Sequence, residues 1–411
     1  MEVRWSREVQ LILDIISNEL FSADKALDLE PIDWDIFLAE YRHHTVASLI
    51  YEGLSQYKEK IPADVYEKIA AIGLQNVYSN LHVIKQHIDL GKLLDNNHIK
   101  YCILKGCASA HYYPKPYLRC MGDVDFLIDK QDIKRTTELI LQQGYIKTGN
   151  NHSFHECFKK KGSVLEMHYE ISRLPLGEAG DRIRDLIKDI INKSETTLVD
   201  ETGECKIPNW FHHGLIILIH MQRHMMREGI GLRHLCDWAV YINRLDACQR
   251  EMLKKNLEII GLWRFAQIMS QAVIVFLGVS YDEIFGKIEA DLCCDVMEDI
   301  LNSGNFGRKD EDSFQSSIFV SDRVKTTKNH SVIGQAFISL NDIVYNNWPI
   351  SKKIKIMLPF GYVFFTCRYV IRSILGKRKK INVKKMLSKG QKRKHLYDQL
   401  HVYELKNCIN K

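Results

Sequence analysis

The chain has 411 residues, 45% hydrophobic and 26% charged, a balance that excludes a disordered or fibrous protein and gives room for about two or three domains with buried cores. Its formal charge of +6 conceals a division: positions 352–411 hold 17 Lys and Arg against 2 Asp and Glu, whereas the rest of the chain has 40 against 49. A general grip on nucleic acid over the acidic body is thereby disfavoured, because phosphate contacts need a basic surface.

At the N-terminus Val9, Ile12, Ile15, Ile16 and Leu20 recur at helical spacing, as do Phe37, Tyr41, Val46 and Ile50 farther on. Met1 to Phe21 carries Glu2, Arg4, Arg7, Glu8, Asp14 and Glu19, so it reads as an amphipathic helix and not as a secretory leader. The 11 cysteines include no C-x-x-C pair, and Cys293 and Cys294 are adjacent, so no zinc or disulfide framework follows. Both observations point to a reducing cytoplasm. Residues 1–97 are expected to be helical, ending in a long helix from Ala63 to Asn96.

Residues 98–175 read as an α/β core. Strands are expected near Lys100 to Leu104, Asp123 to Ile128, His155 to Lys159 and Val164 to Ile171. Gly106 closes the first of them before a short helix at Ala108 to Tyr112, where backbone amides could hold phosphate oxygens. A helix from Gln131 to Gln142 ends at Gly144, a left-handed stop. Asn150 to His155 is polar and reads as a turn.

The most telling run is Gly122-Asp123-Val124-Asp125-Phe126-Leu127-Ile128. In a strand, Asp123 and Asp125 share one face while Val124, Phe126 and Ile128 take the other. Two like charges so placed repel unless a cation lies between them. Mg²⁺ prefers carboxylate oxygens and keeps waters that a triphosphate can displace, so the pair is a candidate metal and nucleotide site. In Val164 to Glu170, Glu166, His168 and Glu170 share a face opposite Leu165, Met167 and Tyr169, which makes Glu166 the candidate third carboxylate. Solvated acids at a strand end are the plainer alternative. Glu170 reads as such an acid, and Asp129 as an N-cap or turn residue.

From about residue 209 helices return, at Phe211 to Met226, Leu232 to Arg244 and Gln249 to Leu277. His220 and His224, four apart, could be two ligands of one metal or ordinary helix residues. Arg233 and Asp237 are also four apart and would meet on a helix surface. Ser303 to Asn329 is polar and reads as a long loop, either a surface connection or a lid. Near the C-terminus, the 12 residues Ile356 to Cys367 are mostly apolar, too short a run to span a bilayer as a helix. Followed by Lys377-Arg378-Lys379-Lys380, Lys384-Lys385 and Lys392-Arg393-Lys394, they suit either an anionic membrane surface or a core helix with a solvated basic tail.

The order of these pieces resembles the nucleotidyltransferase superfamily of the DNA polymerase β type, in which a glycine loop precedes an Asp-x-Asp strand and a later strand supplies a third acid. It is more closely similar to the bacterial uncharacterised nucleotidyltransferase family, through Leu104-Lys105-Gly106, Tyr113-Pro114-Lys115-Pro116-Tyr117-Leu118-Arg119, Asp123-Val124-Asp125, the helix from Asp33-Trp34 to Leu54, and Gly231-Leu232-Arg233-His234-Leu235-Cys236-Asp237-Trp238. Lys105-Gly106 stands where the superfamily has Gly-Ser, and Glu166 where Asp is commoner. The resemblance implies transfer of a nucleoside monophosphate from an NTP, with Asp123, Asp125 and Glu166 as catalytic and Mg²⁺-binding acids. Lys105, Gly106, Arg119 and Arg233 are then the nucleotide-binding residues. It also implies surface-polysaccharide or peptide modification as the setting, without naming the acceptor.

The expected fold is α+β: a small mixed-sheet nucleotidyltransferase core at 98–175, a helical region at 1–97, another at 176–350, and an apolar-aromatic segment with a basic tail at 351–411. A catalytically inactive nucleotide-binding scaffold or regulatory protein of the same pathway is the alternative function.

Overall fold

A computed structural model describes residues 5–148, 154–171, 174–175, 177–200, 203–309, 340–341, 344–345, 348–352, 354–374 and 383–405. Three helices come first, α1 (Arg7–Phe21), α2 (Trp34–His44) and α3 (Ala47–Leu54), followed by the long α4 (Ala63–Asn96). Local chemistry sets their starts. Ser6 caps α1 by accepting from the Val9 amide, and Asp33 caps α2 by accepting from Asp35 and Ile36.

The core then alternates β1 (Tyr101–Ile103), α5 (Cys107–Ala110), β2 (Val124–Ile128), α6 (Ile133–Gln142), β3 (Ile146–Thr148), β4 (His155–Lys160) and β5 (Ser163–His168). These strands form one five-stranded sheet in the order β1-β2-β5-β4-β3. Only β2 and β5 pair in parallel, through Val124 with Leu165 and Asp125 with Glu166, and the sheet is therefore mixed. The period-two alternation works as expected. Val124, Phe126, Ile128, Leu165 and Met167 are buried against Val83, Ile84, Ile88 and Leu94 of α4, leaving the acid-bearing face turned the other way.

Two features of this region were not visible in the pattern. Strand β3 is three residues long with Ile146 70% exposed, so it shows no alternation. After α7 (Glu178–Ile187), a separate hairpin of β6 (Glu195–Asp200) and β7 (Gly203–Ile207) packs on α4 and β1. Its β-branched Thr196, Thr197 and Val199 were a usable strand signal. The expected turn at Asn150 to His155 lies mostly outside the described residues.

Helices α8 (Trp210–Met225), α9 (Leu232–Arg244), α10 (Ala247–Ile259), α11 (Trp263–Leu277) and α12 (Ala290–Ser303) follow. The expected single helix from Gln249 to Leu277 is corrected to two. Gly261, at φ +70°, breaks it, and the capping box of Asp246 with Gln249 starts the first piece two residues early. These helices share one apolar core with α1 to α3, and Ser17 of α1 bonds the Leu277 carbonyl of α11 at 2.8 Å. The expected polar loop begins inside α12 at Ser303, and residues 310–329 of it lie outside the described residues.

The C-terminal segment contains α13 (Leu358–Ile374) and α14 (Val383–Asp398). No described helix is long and apolar enough to cross a membrane. One part of the basic tail is not a solvated cluster: Arg393 is buried, with Nη2 donating to the Met225 carbonyl at 2.7 Å and Nε 3.3 Å from Asp299. Just beyond α14, the Tyr403 amide donates to the Gly261 carbonyl at 2.7 Å, and a Cβ on Gly261 would lie 2.7 Å from the Tyr403 carbonyl carbon. Gly261→Ala should therefore meet both positive-φ strain and a backbone clash, and should cost about 1–3 kcal/mol in urea unfolding. An unchanged midpoint would show that residues 403 and 404 are not seated against that turn.

Candidate active site

The sheet wall of the site begins where β1 ends. Gly106 has φ +62°, and a Cβ there would lie 2.4 Å from Nε2 of His87, so the turn requires glycine on both counts. His87 is buried on α4, donates from Nδ1 to the Val83 carbonyl at 2.7 Å, and leaves Nε2 without a hydrogen-bond partner. Burial pushes its pKa down to about 4, so it stands beside the turn as a neutral ring. The expected short helix is present as α5, which starts one residue and ends two residues earlier than expected.

The loop from α5 to β2 is pinned from below by two helices. Ser48 of α3 donates to the Leu118 carbonyl at 2.6 Å, while Asn80 of α4 donates to Tyr117 and accepts from the Met121 amide at 2.8 and 3.0 Å. The same loop carries Arg119, whose buried guanidinium donates from Nε and Nη2 to the two carboxylate oxygens of Asp237, each at 2.8 Å. Tyr113 donates to the same Asp237 at 2.9 Å. Burial opposes the Arg119 charge, but Asp237 outweighs it and raises the guanidinium above its ordinary range. Asp237 is therefore taken by Arg119, in place of the intrahelical pair with Arg233 that the spacing allowed. Arg233 instead donates from Nη1 to the Cys120 carbonyl at 3.3 Å, and its Nε has no hydrogen-bond partner.

Of the three acids, the structure brings Asp125 and Glu166 together with His168, while Asp123 stands just before β2 and outside that cluster. Asp125 is buried, and one of its oxygens accepts from Nζ of Lys105 at 2.7 Å and faces Nε2 of His168 at 3.0 Å. Glu166 is its register partner on β5 and lies 3.6 Å from the same His168 nitrogen. Asp123 is exposed at the mouth of the strand, with no ion pair among the described residues. His168 is the residue the sequence reading left without a role, although its shared face with Glu166 was already evident.

The charges set one another. The neighbouring charge of Asp125 pushes the Asp123 carboxyl up to about 6, against the opposing pull of Lys105. Burial would raise Asp125 too, but Lys105 and His168 override it and hold that carboxyl well below its usual range. The His168 hydrogen bond likewise lowers Glu166. Burial disfavours protonated His168, yet Asp125 and Glu166 together raise its pKa. Two groups of donors could hold a metal: Asp125, Glu166 and His168, and Glu166 with His155 and Cys157 of the adjoining β4, each set having its donor atoms within 4.8 Å of one another. Glu170 pairs with Lys130 on the surface, and Asp129 forms a turn by its backbone without a side-chain cap.

Above this wall lies a cavity of about 480 Å³, within the usual range for small-molecule sites. Lys105, Gly106, Arg119, Asp123 and Asp125 line it from the sheet side, and His220, Arg233, His234, Asp237 and Phe306 from the helical side. Glu166 is not among its lining residues. His220 and His224 are not a metal pair: the latter accepts from Arg223 at Nε2 and donates from Nδ1 to Glu228, at 2.8 and 3.1 Å. Burial lowers the pKa of both, to about 4 for His224.

The raised Asp123 carboxyl has a consequence for stability. A carboxyl with a higher pKa in the folded state than in the unfolded chain binds more protons when folded, so stability falls as pH rises from about 4 through about 6. Asp123→Asn removes that repulsion. In the metal-free protein, its melting temperature should match wild type near pH 4 and exceed it above pH 6; a lower melting temperature at both values would contradict the charge assignment.

The model of the uncharacterised nucleotidyltransferase family matches residues 30–276. That span holds all seven site residues named from the sequence and stops short of Phe306. No curated protein matches the chain. Because the match covers more than half of its length, the chain belongs to the uncharacterised nucleotidyltransferase family.

Proposed function

We propose that this cleft transfers a nucleoside monophosphate from an NTP to an acceptor hydroxyl or phosphate and releases pyrophosphate. One observation carries the reading: Asp123, Asp125 and Lys105 line one wall of a cavity of about 480 Å³, with Glu166 paired to Asp125 behind it. Asp123, Asp125 and Glu166 would hold Mg²⁺. The donor chemistry fits, since carboxylate oxygens are what that ion prefers: those of Asp125 and Glu166 already lie within 4.8 Å of each other, Asp123 would have to draw in toward them, and its raised pKa reflects negative charge that nothing nearby fully offsets. The bound ion would supply charge compensation for the triphosphate.

In this reading the acceptor oxygen bonds to the α-phosphorus, the bond from that phosphorus to the bridging oxygen breaks, and its electron pair leaves with pyrophosphate. Glu166 takes the acceptor proton or completes the metal ligand set. His168 donates to Asp125 and fixes its orientation, as a partner behind a metal ligand does. Lys105 and Arg233 bring positive charge to the phosphates, and Gly106 allows the backbone to approach them. Arg119 has the narrower part of adding charge while its Nε and Nη2 remain on Asp237.

A second reading has its own support. The Lys105 ammonium already neutralises Asp125, as a cation would, and that suits a nucleotide-binding scaffold without turnover. Purified protein incubated with each NTP, Mg²⁺ and a cell lysate, with products read by mass spectrometry, separates the two. Asp125→Asn and Asp123→Asn should each lose at least about 100-fold in transfer, and Glu166→Gln most of its activity while still binding nucleotide. Chelation should abolish turnover and added Mg²⁺ restore it. Binding without products in wild type would favour the scaffold, and full activity in Asp125→Asn would reject the site. Surface-polymer precursors and peptides are the acceptor classes to try first.

We also place the C-terminal segment on an anionic membrane surface, which would make the protein peripheral to the membrane. Supporting this, Phe360, Val363, Phe364 and Ile371 of α13 recur on one helical face and are 70, 64, 46 and 55% exposed. Lys352, Lys355, Arg368 and Arg372 lie in and beside the same helix. Charge attraction to lipid is screened within about 8 Å at physiological ionic strength. Wild type should sediment with anionic vesicles at low salt and much less at high salt, and the double variant Phe360→Ser, Phe364→Ser should stay in the supernatant. Because Arg393 is packed inside the protein, these point changes are a cleaner test than truncation. Equal sedimentation of both proteins would remove the apolar face from the account.

A further inference from the structure

We infer that Phe306 is the platform on which the base of the bound nucleotide stacks, an inference that rests on the NTP reading above. Phe306 belongs to the short 3-10 turn Asn305–Gly307, beyond the residues matched by the family, and lines the same cavity as Asp123 and Asp125. It is 40% exposed there, an unusual position for a large apolar ring in a cavity walled by charged and polar side chains.

Its backbone is held against preference. Phe306 has φ +54° and ψ +40°, a left-handed conformation that a bulky residue avoids, between Gly304 at φ +66° and Gly307 at φ +69°. Such strain persists only where the surroundings impose it, and it concentrates at ligand sites. The seat is tight: a Cβ on Gly231, at the start of α9, would lie 2.7 Å from the Asn305 amide nitrogen.

Three histidines hold the ring, none of them stacked on it in parallel. His224, His234 and His220 approach at 4.7, 5.3 and 6.5 Å between ring centres, with their planes inclined at 65°, 85° and 88°. The Arg233 guanidinium lies over one face of the ring, 5.4 Å from its centre, which leaves the opposite face for a base. Arg233 also bonds the Cys120 carbonyl, three residues before Asp123, so one side chain joins the aromatic platform to the acid-bearing strand. A triphosphate at the acids and a planar base on the ring would span this link. Every base has a π face, so the platform gives affinity for nucleotides without choosing among them.

The test uses the full-length protein, the four NTPs with Mg²⁺, and inorganic tripolyphosphate, which has the phosphates and no base. Phe306→Leu should weaken every NTP that wild type binds by about tenfold to a hundredfold, leaving tripolyphosphate affinity within about twofold, and Phe306→Trp should retain NTP affinity. Equal loss for tripolyphosphate would make Phe306 a structural residue and overturn the inference. So would unchanged NTP affinity in Phe306→Leu, loss in Phe306→Trp equal to that in Phe306→Leu, or wild-type binding of tripolyphosphate as tight as of any NTP. Wild type that binds neither NTP nor tripolyphosphate would bring down the nucleotide reading itself, a result distinct from these.

Discussion

The cleft exists because Arg119 and Asp237 hold each other. One belongs to the loop before the acid-bearing strand, the other to a helix more than a hundred residues later, and their two parallel hydrogen bonds are buried with a third from Tyr113. A buried ion pair of this kind adds little net stability over apolar packing, yet removing one partner leaves a stranded charge at a cost of about 3–5 kcal/mol. Its value is geometric. The planar fork fixes the distance and angle between the sheet and the helical roof, which no apolar contact could do as sharply.

Within that frame the acids are graded. Asp125 sits deepest, and Lys105 and His168 keep it ionised; Asp123, at the edge, carries the repulsion; Glu166 is tied to Asp125 through His168. A cation arriving here would meet one carboxylate already neutralised by Lys105 and another, Asp123, that holds a proton only below about pH 6. In the proposed reaction Lys105 is consequently the residue on which activity would turn: displaced toward phosphate, it would assist transfer, and left on Asp125, it would occupy the charge that the metal would neutralise.

The fold was legible where the pattern is local. Alternation alone placed Asp123 and Asp125 on the open face, the apolar spacing of α4 and α9 gave both helices at their observed bounds, and Gly144 marked the end of α6. Partners across long sequence separations were not legible. The spacing of Arg233 and Asp237 suggested a helix pair, but a buried guanidinium from another element competes better for that carboxylate than a neighbour on its own helix. The break at Gly261 was written in the sequence and outweighed by the continuous apolar stripe on either side of it. Phe306 belongs to no periodic segment, and only the assembled cavity gives its ring a context. Lys105, just after β1, meets Asp125 of β2 because these paired strands are consecutive in the chain, and Asp123 just before β2 lines the same cavity; Arg233 joins them only through tertiary packing.

The bond from Ser17 to Leu277 spans 260 positions of the chain. Helix α1 therefore emerges long before α11, and although α2 and α3 pack on it early, its bond through Ser17 has no partner until α11 has been made. Contacts this distant in sequence are slow to form, since the intervening chain must first be brought together. The sheet with its acids can assemble early, from strands close in sequence, while the roof of the cleft has to wait for the later helices. Pocket completion is thus a late event in the biogenesis of the chain, and a nascent polypeptide that stalls before α9 would carry the acids without any enclosure around them.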